Sequence, residues 1–332
     1  MAKPRIVIAV DASGGDYAPH EVVKGAVNAV QEYGVEVALV GKKSMLHVLV
    51  GRQLNKPGIT IIDADQVIEA DESPMKALRS KPNSSIVVGV NLVKEGKAAA
   101  FVSAGNTGAL FGAALLSLGR IKGIERPAIA CTINFTPSPV ILIDAGANAD
   151  CRPNHLVHFA KMGSIYSQQV LGISSPRVGL LSNGSEESKG NQLVLETYQL
   201  LKNTHGLNFI GNIEPQDILK VAADVAVTDG FTGNIMLKTI EGMSDNFFTA
   251  IRQIGHIVSS ACNRGRDLLR DVSIVKRMDY REYGGAILLG VDGNVIKAHG
   301  RSRARTIMNA VGLARQIVEH DILGKIKGES YE

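Results

Sequence analysis

Short apolar runs alternate along this chain with stretches in which apolar residues recur every three or four positions. The runs are rich in β-branched residues and predict buried strands, while the longer period predicts helices with one apolar face. Strands are predicted over 4–10, 35–41, 58–64, 98–105, 128–135, 139–146, 177–184, 207–213, 224–230 and 286–300, and helices over 20–33, 84–95, 107–118, 153–170, 188–204 and 303–323. The alternation predicts a three-layer α/β fold, in which helices cover both faces of a doubly wound, mostly parallel sheet.

The segment 242–281 departs from this alternation. It begins with one long helical stripe of apolar residues, Met243, Phe247, Phe248, Ile251, Ile254, Val258 and Ala261. A basic cluster follows: Arg264, Arg266, Arg270, Lys276, Arg277 and Arg281. The pattern predicts a helical protrusion, whose stripe serves as a dimer interface, packs within the chain or rests on a bilayer. Since no Pro/Ser-rich linker or repeat occurs, we expect a single α/β catalytic domain over 1–332.

Composition narrows the class of protein. Apolar residues make up 45% of the 332 residues and charged residues 20%, which excludes a mostly disordered chain. The net charge of +4 is mildly basic but lacks the dense basic stripe of nucleic-acid binders. The three cysteines, Cys131, Cys151 and Cys262, form no CxxC pair, so no zinc site or disulfide is expected and a reducing compartment fits best. No signal peptide and no 18-residue apolar window are recognisable.

Glycine and small polar residues cluster where five predicted strands end. The clusters are VDASGGD (10–16), SAGNTGAL (103–110), DAGANADC (144–151), SNGSEESKGN (182–191) and TDGFTGN (228–234). Ligands of parallel sheets bind beyond the carboxyl ends of the strands. Glycine allows close approach of the backbone, and helix starts attract anions. Although each loop alone fits a plain turn, the set predicts a pocket for a small anion, of which phosphate is the obvious candidate.

Two residues stand out as catalytic candidates. Lys189, at a predicted helix start, can clamp a phosphate, and Asn234 can donate hydrogen bonds to a phosphate or an oxyanion. The alternatives are a solvated lysine and a helix cap. The other candidate substrate-binding residues are Asp11, Gly14, Gly15, Ser103, Gly105, Asn106, Thr107, Asp144, Asn148, Gly190, Asp229, Gly230, Thr232 and Gly233. The three aspartates each end a strand, so each can instead cap a turn.

Other chemistries have weaker support. Neither GxGxxG nor GxxxxGK[ST] occurs, which argues against a dinucleotide enzyme and a P-loop NTPase. The adjacent Glu186 and Glu187 have no nearby histidine in the sequence, so no metal and no cofactor are expected. Cys151 can act as a nucleophile only with a base, and the nearby His155 and His158 lie on a helix whose other residues fit a core.

Eight motifs together resemble the bacterial phosphate acyltransferase family, PlsX. They are VDASGGD, SPMKALRSKPNSSI, SAGNTGAL, DAGANADCRPNHL, SNGSEESKGN, FIGNIEPQDI, DVAVTDGFTGNIMLK and DYREYGGAILLGVDG, and the resemblance covers about residues 5 to 325. It implies a fold similar to phosphate acetyltransferase and isopropylmalate dehydrogenase. Ser13 stands where the family usually has methionine. The segment HGRSRA (299–304) departs from the family's HGSS-like pattern, so no role is transferred to Ser302.

The resemblance also implies an activity and partners. The family moves a fatty acyl group from acyl carrier protein to inorganic phosphate, and an acyl-phosphate-dependent glycerol-3-phosphate acyltransferase uses the product downstream. Its members are homodimers at the inner face of the cytoplasmic membrane, and its motif lysine and asparagine match Lys189 and Asn234. The basic cluster would then steer the acidic carrier protein. The alternatives are a phosphate acetyltransferase acting on acetyl-CoA, a nucleotide-dependent dehydrogenase of similar fold and a non-enzymatic membrane scaffold.

Overall fold

The computed structural model describes residues 6–51, 58–134, 138–261 and 284–331, with the backbone alone at 245 and 247–261. The chain divides into two compact units. Unit 1 comprises Met1–Cys131, Gln168–Gly172 and Tyr283–Glu332, and unit 2 comprises Thr132–Ser167 and Ile173–Glu282. Two such units can belong to one domain, so a single catalytic domain over 1–332 stays a prediction.

Strands and helices alternate along most of the described chain. The strands are β1 (Val7–Asp11), β2 (Glu36–Gly41), β3 (Ile59–Asp63), β4 (Ala100–Ser103), β5 (Ala128–Ile133), β6 (Val140–Ile143), β7 (Arg177–Leu181), β8 (Asn208–Ile213), β9 (Val225–Val227), β10 (Ala286–Leu289) and β11 (Asn294–Lys297). The helices are α1 (His20–Tyr33), α2 (Lys43–Val50), α3 (Pro74–Ser80), α4 (Ser85–Lys94), α5 (Thr107–Ser117), α6 (Pro153–Leu171), α7 (Gln192–Lys202), α8 (Pro215–Ile218), α9 (Gly230–Ala261), α10 (Ala304–Glu319) and α11 (Ile322–Lys327).

In unit 1 the strand order is β3-β2-β1-β4-β11-β10-β5. Neighbouring strands are parallel from β3 to β11, and β10 is antiparallel to both of its neighbours. Strands β1 and β4 are almost wholly buried, as expected for strands covered on both faces. Helices α1 and α10 pack on each other, as do α4 and α5. The parallel pairing places the carboxyl ends of β1, β4 and β11 side by side.

In unit 2 the strand order is β6-β9-β7-β8, and these strands are all parallel. The side chains of β6 and β9 are fully buried. Helix α6 contributes Leu156, Phe159 and Met162 to the core. Because β9 lies between β6 and β7, the loops that follow these three strands leave the same edge next to one another.

The mostly parallel α/β architecture predicted from the alternation is confirmed, and several elements differ in detail. The predicted strand 286–300 is the hairpin β10–β11, because Gly290 has a φ of 92° and turns the chain. Helices α2, α3 and α8 were not predicted, since each is too short to display a helical period. No helix of the described residues is long and apolar enough to cross a membrane.

The predicted protrusion at 242–281 is described only in part. Helix α9 continues to Ala261, as the long apolar stripe predicts. The side chains of that stripe from Phe247 onward lie outside the described residues. So does the proposed carrier-protein docking cluster, Arg264, Arg266, Arg270, Lys276 and Arg277.

Candidate active site

In unit 1 the predicted residues of two loops gather around Asp11. This carboxylate is 1% exposed and lies at the end of β1. Its Oδ1 accepts hydrogen bonds from the backbone N–H groups of Ser13 and Gly14, both at 3.0 Å. Its Oδ2 accepts one from the Ser103 hydroxyl at 2.6 Å. Asp11 therefore shapes its own loop and ties that loop to the end of β4.

The two loops approach too closely for a side chain to fit between them. A Cβ added to Gly14 would lie 2.4 Å from Asp11 Oδ2 and 2.7 Å from the backbone nitrogen of Gly105. Gly15 follows with a φ of 104°, a left-handed conformation that favours glycine. Glycine is thus needed here because the backbones of the two loops pack against each other.

Asn106 and Thr107 begin helix α5 but differ in what they offer a ligand. Asn106 Oδ1 caps the helix by accepting from the Ala109 N–H at 3.0 Å. Its Nδ2 donates to three carbonyls of the segment 69–72 at 3.1–3.2 Å. Thr107 is exposed in the first turn. The Asn106 amide is therefore fully engaged in holding the loop, and we expect any substrate contact to come from the backbone at the start of α5.

One residue of this edge has no counterpart among the predicted site residues. Lys297 ends β11 in register with Ser103 of β4. Its side chain is half-buried, and burial lowers the pKa of its ammonium to about 8, against the opposing attraction of Asp11 and Asp16. The apolar run before it predicts only a strand. A charged residue directly at a strand end was the signal that could have identified it.

In unit 2, Asp144 organises the loop after β6. It is fully buried. Its Oδ1 accepts from the N–H groups of Gly146 and Ala147 at 3.1 and 2.9 Å, and its Oδ2 accepts from the backbone and side-chain nitrogens of Asn148, both at 2.8 Å. Both predicted residues of this loop, Asp144 and Asn148, are thus engaged with each other as positioning residues.

Asp144→Ala is expected to lower the free energy of unfolding by about 3 kcal/mol, because the N–H groups of Gly146 and Ala147 and the two buried donors of Asn148 would lose their acceptor together. Urea denaturation of the purified variant measures the loss. Asp229→Ala serves as the comparison, since Asp229 caps a helix and its removal typically costs about 1 kcal/mol. Equal losses in the two variants would contradict the role assigned to Asp144.

The loops after β6 and β9 touch at the start of α9. The Gly230 N–H donates to the Asn148 carbonyl at 2.8 Å. A Cβ on Gly233 would lie 1.9 Å from the carbonyl oxygen of Asp144, so no other residue fits there without moving the backbone. Asp229 caps the helix: its carboxylate accepts from the N–H and the hydroxyl of Thr232, both at 2.8 Å. These contacts fix the first turn of α9.

Asn234 projects from that first turn with its amide available. It is half-buried and lies against Gly146, whose added Cβ would be 3.4 Å from the Asn234 Cγ. Since Asp229 caps the N-terminus of α9, Asn234 is not needed as a helix cap. Its amide makes no side-chain hydrogen bond to any part of the chain that the structure describes. Hydrogen-bond donors are therefore free at this point for a ligand.

Lys189 lies in the loop after β7 and not at a helix start. Helix α7 begins at Gln192, with Asn191 as its cap, instead of at the predicted 188. The stem of exposed Lys189 crosses Gly184, where an added Cβ would lie 2.7 Å from the lysine Cγ. Within the described residues its ammonium has neither a hydrogen bond nor an ion pair. Gly190, with a φ of 113°, then turns the chain into α7.

Asn212 was not recognised from the sequence, yet it positions the lysine loop. It lies near the end of the neighbouring strand β8, is 6% exposed, and donates from Nδ2 to the Glu186 carbonyl at 2.8 Å. The Lys189 N–H in turn donates to that same carbonyl at 3.0 Å. Asn212 therefore fixes the turn from which Lys189 projects.

The alternative nucleophile Cys151 is engaged in local structure. Its thiol donates to the Asn148 carbonyl at 3.7 Å. The Nδ1 of His155 accepts from the Arg152 N–H at 3.1 Å. Both contacts close the turn that leads into α6.

Comparison with known proteins gives a consistent result over nearly the whole chain. The family model described as "Fatty acid synthesis protein" matches residues 6–325. A phosphate acyltransferase from Dehalococcoides mccartyi is 55% identical, over 96% of this chain and 92% of its own. One from Pelotomaculum thermopropionicum is 46% identical, over 96% and 94%. The crystal structure of a phosphotransacetylase from Streptococcus pyogenes, 20% identical, has a TM-score of 0.62 over 95% of this chain and 94% of its own, which confirms the fold.

Proposed function

Because this chain belongs to the fatty acid synthesis protein family of phosphate acyltransferases, PlsX, we propose that it moves a fatty acyl group from acyl carrier protein to inorganic phosphate. The chain is an acyltransferase enzyme, and the proposal concerns its donor and its product, an acyl phosphate. An acyl-phosphate-dependent glycerol-3-phosphate acyltransferase would consume that product.

One observation in unit 2 carries this proposal. The Lys189 ammonium and the Asn234 amide both lack partners among the described residues, and they follow the adjacent parallel strands β7 and β9. A cation and an amide donor at one sheet edge suit a reaction between an anion and a carbonyl, because each can bind one of the two reactants.

The proposed reaction needs no covalent enzyme intermediate. A phosphate oxygen attacks the thioester carbonyl carbon, a C–O bond forms, and the carbonyl oxygen becomes an oxyanion. Lys189 holds the phosphate, and Asn234 donates to the oxyanion as charge develops there. When the oxyanion collapses, the C–S bond breaks and the thiolate leaves to take up a proton. Holding both reactants in place can contribute about 7–11 kcal/mol in favourable systems.

The partners of the reaction belong to the same proposal. The basic cluster from Arg264 to Arg277 would attract the acidic carrier protein and raise its association rate. The enzyme would act as a homodimer in the cytoplasm, attached peripherally to the inner membrane surface. Phe247 to Val258 supply the apolar stripe for the dimer contact or the membrane contact.

The decisive experiment incubates the purified enzyme with long-chain acyl carrier protein and labelled phosphate and scores acyl phosphate. A parallel reaction supplies acetyl-CoA in place of the carrier. We expect label in acyl phosphate with the carrier protein and little product with acetyl-CoA. Faster turnover of acetyl-CoA would favour the phosphate acetyltransferase alternative, and no product from either donor would refute the proposal.

A further inference from the structure

Lys297 stands at the carboxyl end of a strand in unit 1, as do Asp11 and Ser103, which shape the two glycine loops of that unit. It ends β11, in register with Ser103 at the end of β4. Ser103 in turn donates to Asp11 at the end of β1. Three adjacent parallel strands therefore present Asp11, Ser103 and Lys297 at one edge.

The Lys297 ammonium has few hydrogen-bond acceptors among the described residues. An ammonium has three hydrogens to donate. Over the described residues, Lys297 Nζ donates one hydrogen bond, to the carbonyl of Ala298. Burial lowers the pKa of this half-buried group to about 8, and the carboxylates of Asp11 and Asp16 offset only part of that effect. Two of its three hydrogens therefore have no acceptor among the described residues.

The two carboxylates have limited ability to neutralise it. Asp11 already accepts from Ser13, Gly14 and Ser103. Asp16 is exposed, so water screens its charge. An incoming anion would supply the missing acceptors.

We propose that Lys297 binds a phosphoryl anion at the carboxyl edge of unit 1. The anion is either inorganic phosphate or the phosphodiester of the acyl donor's phosphopantetheine arm. This inference rests on the proposed function, because that reaction supplies both anions. The residues of this site, Asp11, Ser103 and Lys297, all belong to unit 1, and Lys297 acts there in binding.

The test measures anion binding by calorimetry as a function of pH. Sulfate is the main probe because it stays dianionic across the range, and phosphate and 4′-phosphopantetheine are the other probes. A group with a pKa of about 8 loses most of its charge between pH 7 and pH 9. Wild-type affinity for sulfate is therefore expected to fall about fivefold over that interval. Lys297→Met should weaken binding about tenfold at pH 7 and match the wild type at pH 9.5.

Two further measurements keep the result interpretable. Lys189→Met, which removes the cation of unit 2, should leave the pH dependence in place. When the wild type binds sulfate at pH 8.5, it should take up protons, because a bound anion raises the pKa of Lys297. Calorimetry in buffers of different ionisation enthalpy detects this uptake. The measurement needs only the wild type, so it remains possible if Lys297→Met fails to fold. Affinity that is unchanged in a folded Lys297→Met variant, or sulfate binding without proton uptake, would overturn the inference.

The probes also separate the two sources of the anion. If Lys297→Met loses affinity only for phosphate, the bound anion is the acceptor substrate. If it loses affinity only for 4′-phosphopantetheine, the bound anion is the phosphodiester of the donor arm. Failure of acyl transfer alongside Lys297-dependent sulfate binding would refute the proposed reaction and retain this site. Normal acyl transfer with sulfate affinity independent of Lys297 would refute the site alone.

Discussion

Lys189→Ala is expected to lower turnover about 10³-fold, a larger loss than the one expected for Asn234→Ala. The ammonium of Lys189 has no partner among the described residues, so its charge is available to hold phosphate against the thioester. Interactions made more strongly in the transition state than in the ground state lower kcat when they are removed. Loss of one preorganised charged or polar donor typically costs about 10²–10³-fold, and Lys189 also binds the nucleophile. Steady-state kinetics with acyl carrier protein and labelled phosphate measure the effect.

The matched control for this prediction is Lys220→Ala. Lys220 is an exposed lysine of the same unit, and its ion pair with Asp217 at 3.3 Å contributes little to stability. Its removal should leave turnover within about twofold, because exposed ion pairs are weak. Lys189→Arg retains the charge but changes its shape, and should recover part of the lost activity. A Lys189→Ala enzyme that works as fast as Lys220→Ala would remove Lys189 from the mechanism.

The fold was predictable because its strands are nearly continuous apolar runs and its long helices have clear apolar faces. Helix α1 illustrates this: the prediction of 20–33 coincides with the observed His20–Tyr33, which Gly34 ends with a φ of 66°. The hairpin β10–β11 was predicted as a single strand, although Gly290 and the Asp292-Gly293 pair are turn signals within the run. Short helices such as α3 were not predicted, because they have too few residues to show a helical period.

The sequence predicts the candidate residues only as a group, and the structure shows that their local contacts differ. Asp11, Asp144 and Asp229 all follow a strand or end one, and a glycine comes within three residues after each. Yet the first ties two loops together, the second folds its own loop and the third caps a helix. These differences depend on which backbone donors lie within reach, a property of tertiary structure. Lys297 was missed because its half-buried state comes from neighbouring strands that are distant in sequence.

Asn234→Ala is the second substitution with a large expected effect, a loss of about 10²-fold in kcat. Helix α9 is capped by Asp229, and Asn234 only rests against Gly146, so removing its amide should leave the helix intact. The expected loss is therefore a loss of transition-state stabilisation. Such a loss lowers kcat and kcat/KM together, whereas loss of plain substrate binding would raise KM.

The isosteric variant Asn234→Asp separates the donor from the shape. It preserves the volume of the side chain but replaces the Nδ2 donor with a carboxylate oxygen, which would repel an oxyanion. If Asn234 stabilises that charge, Asn234→Asp must be at least as slow as Asn234→Ala, with thermal unfolding near that of the wild type. If Asn234 serves only to pack against Gly146, then Asn234→Asp will retain near-normal kcat and the oxyanion assignment fails. The order of the two variants thus decides between chemistry and packing at this position.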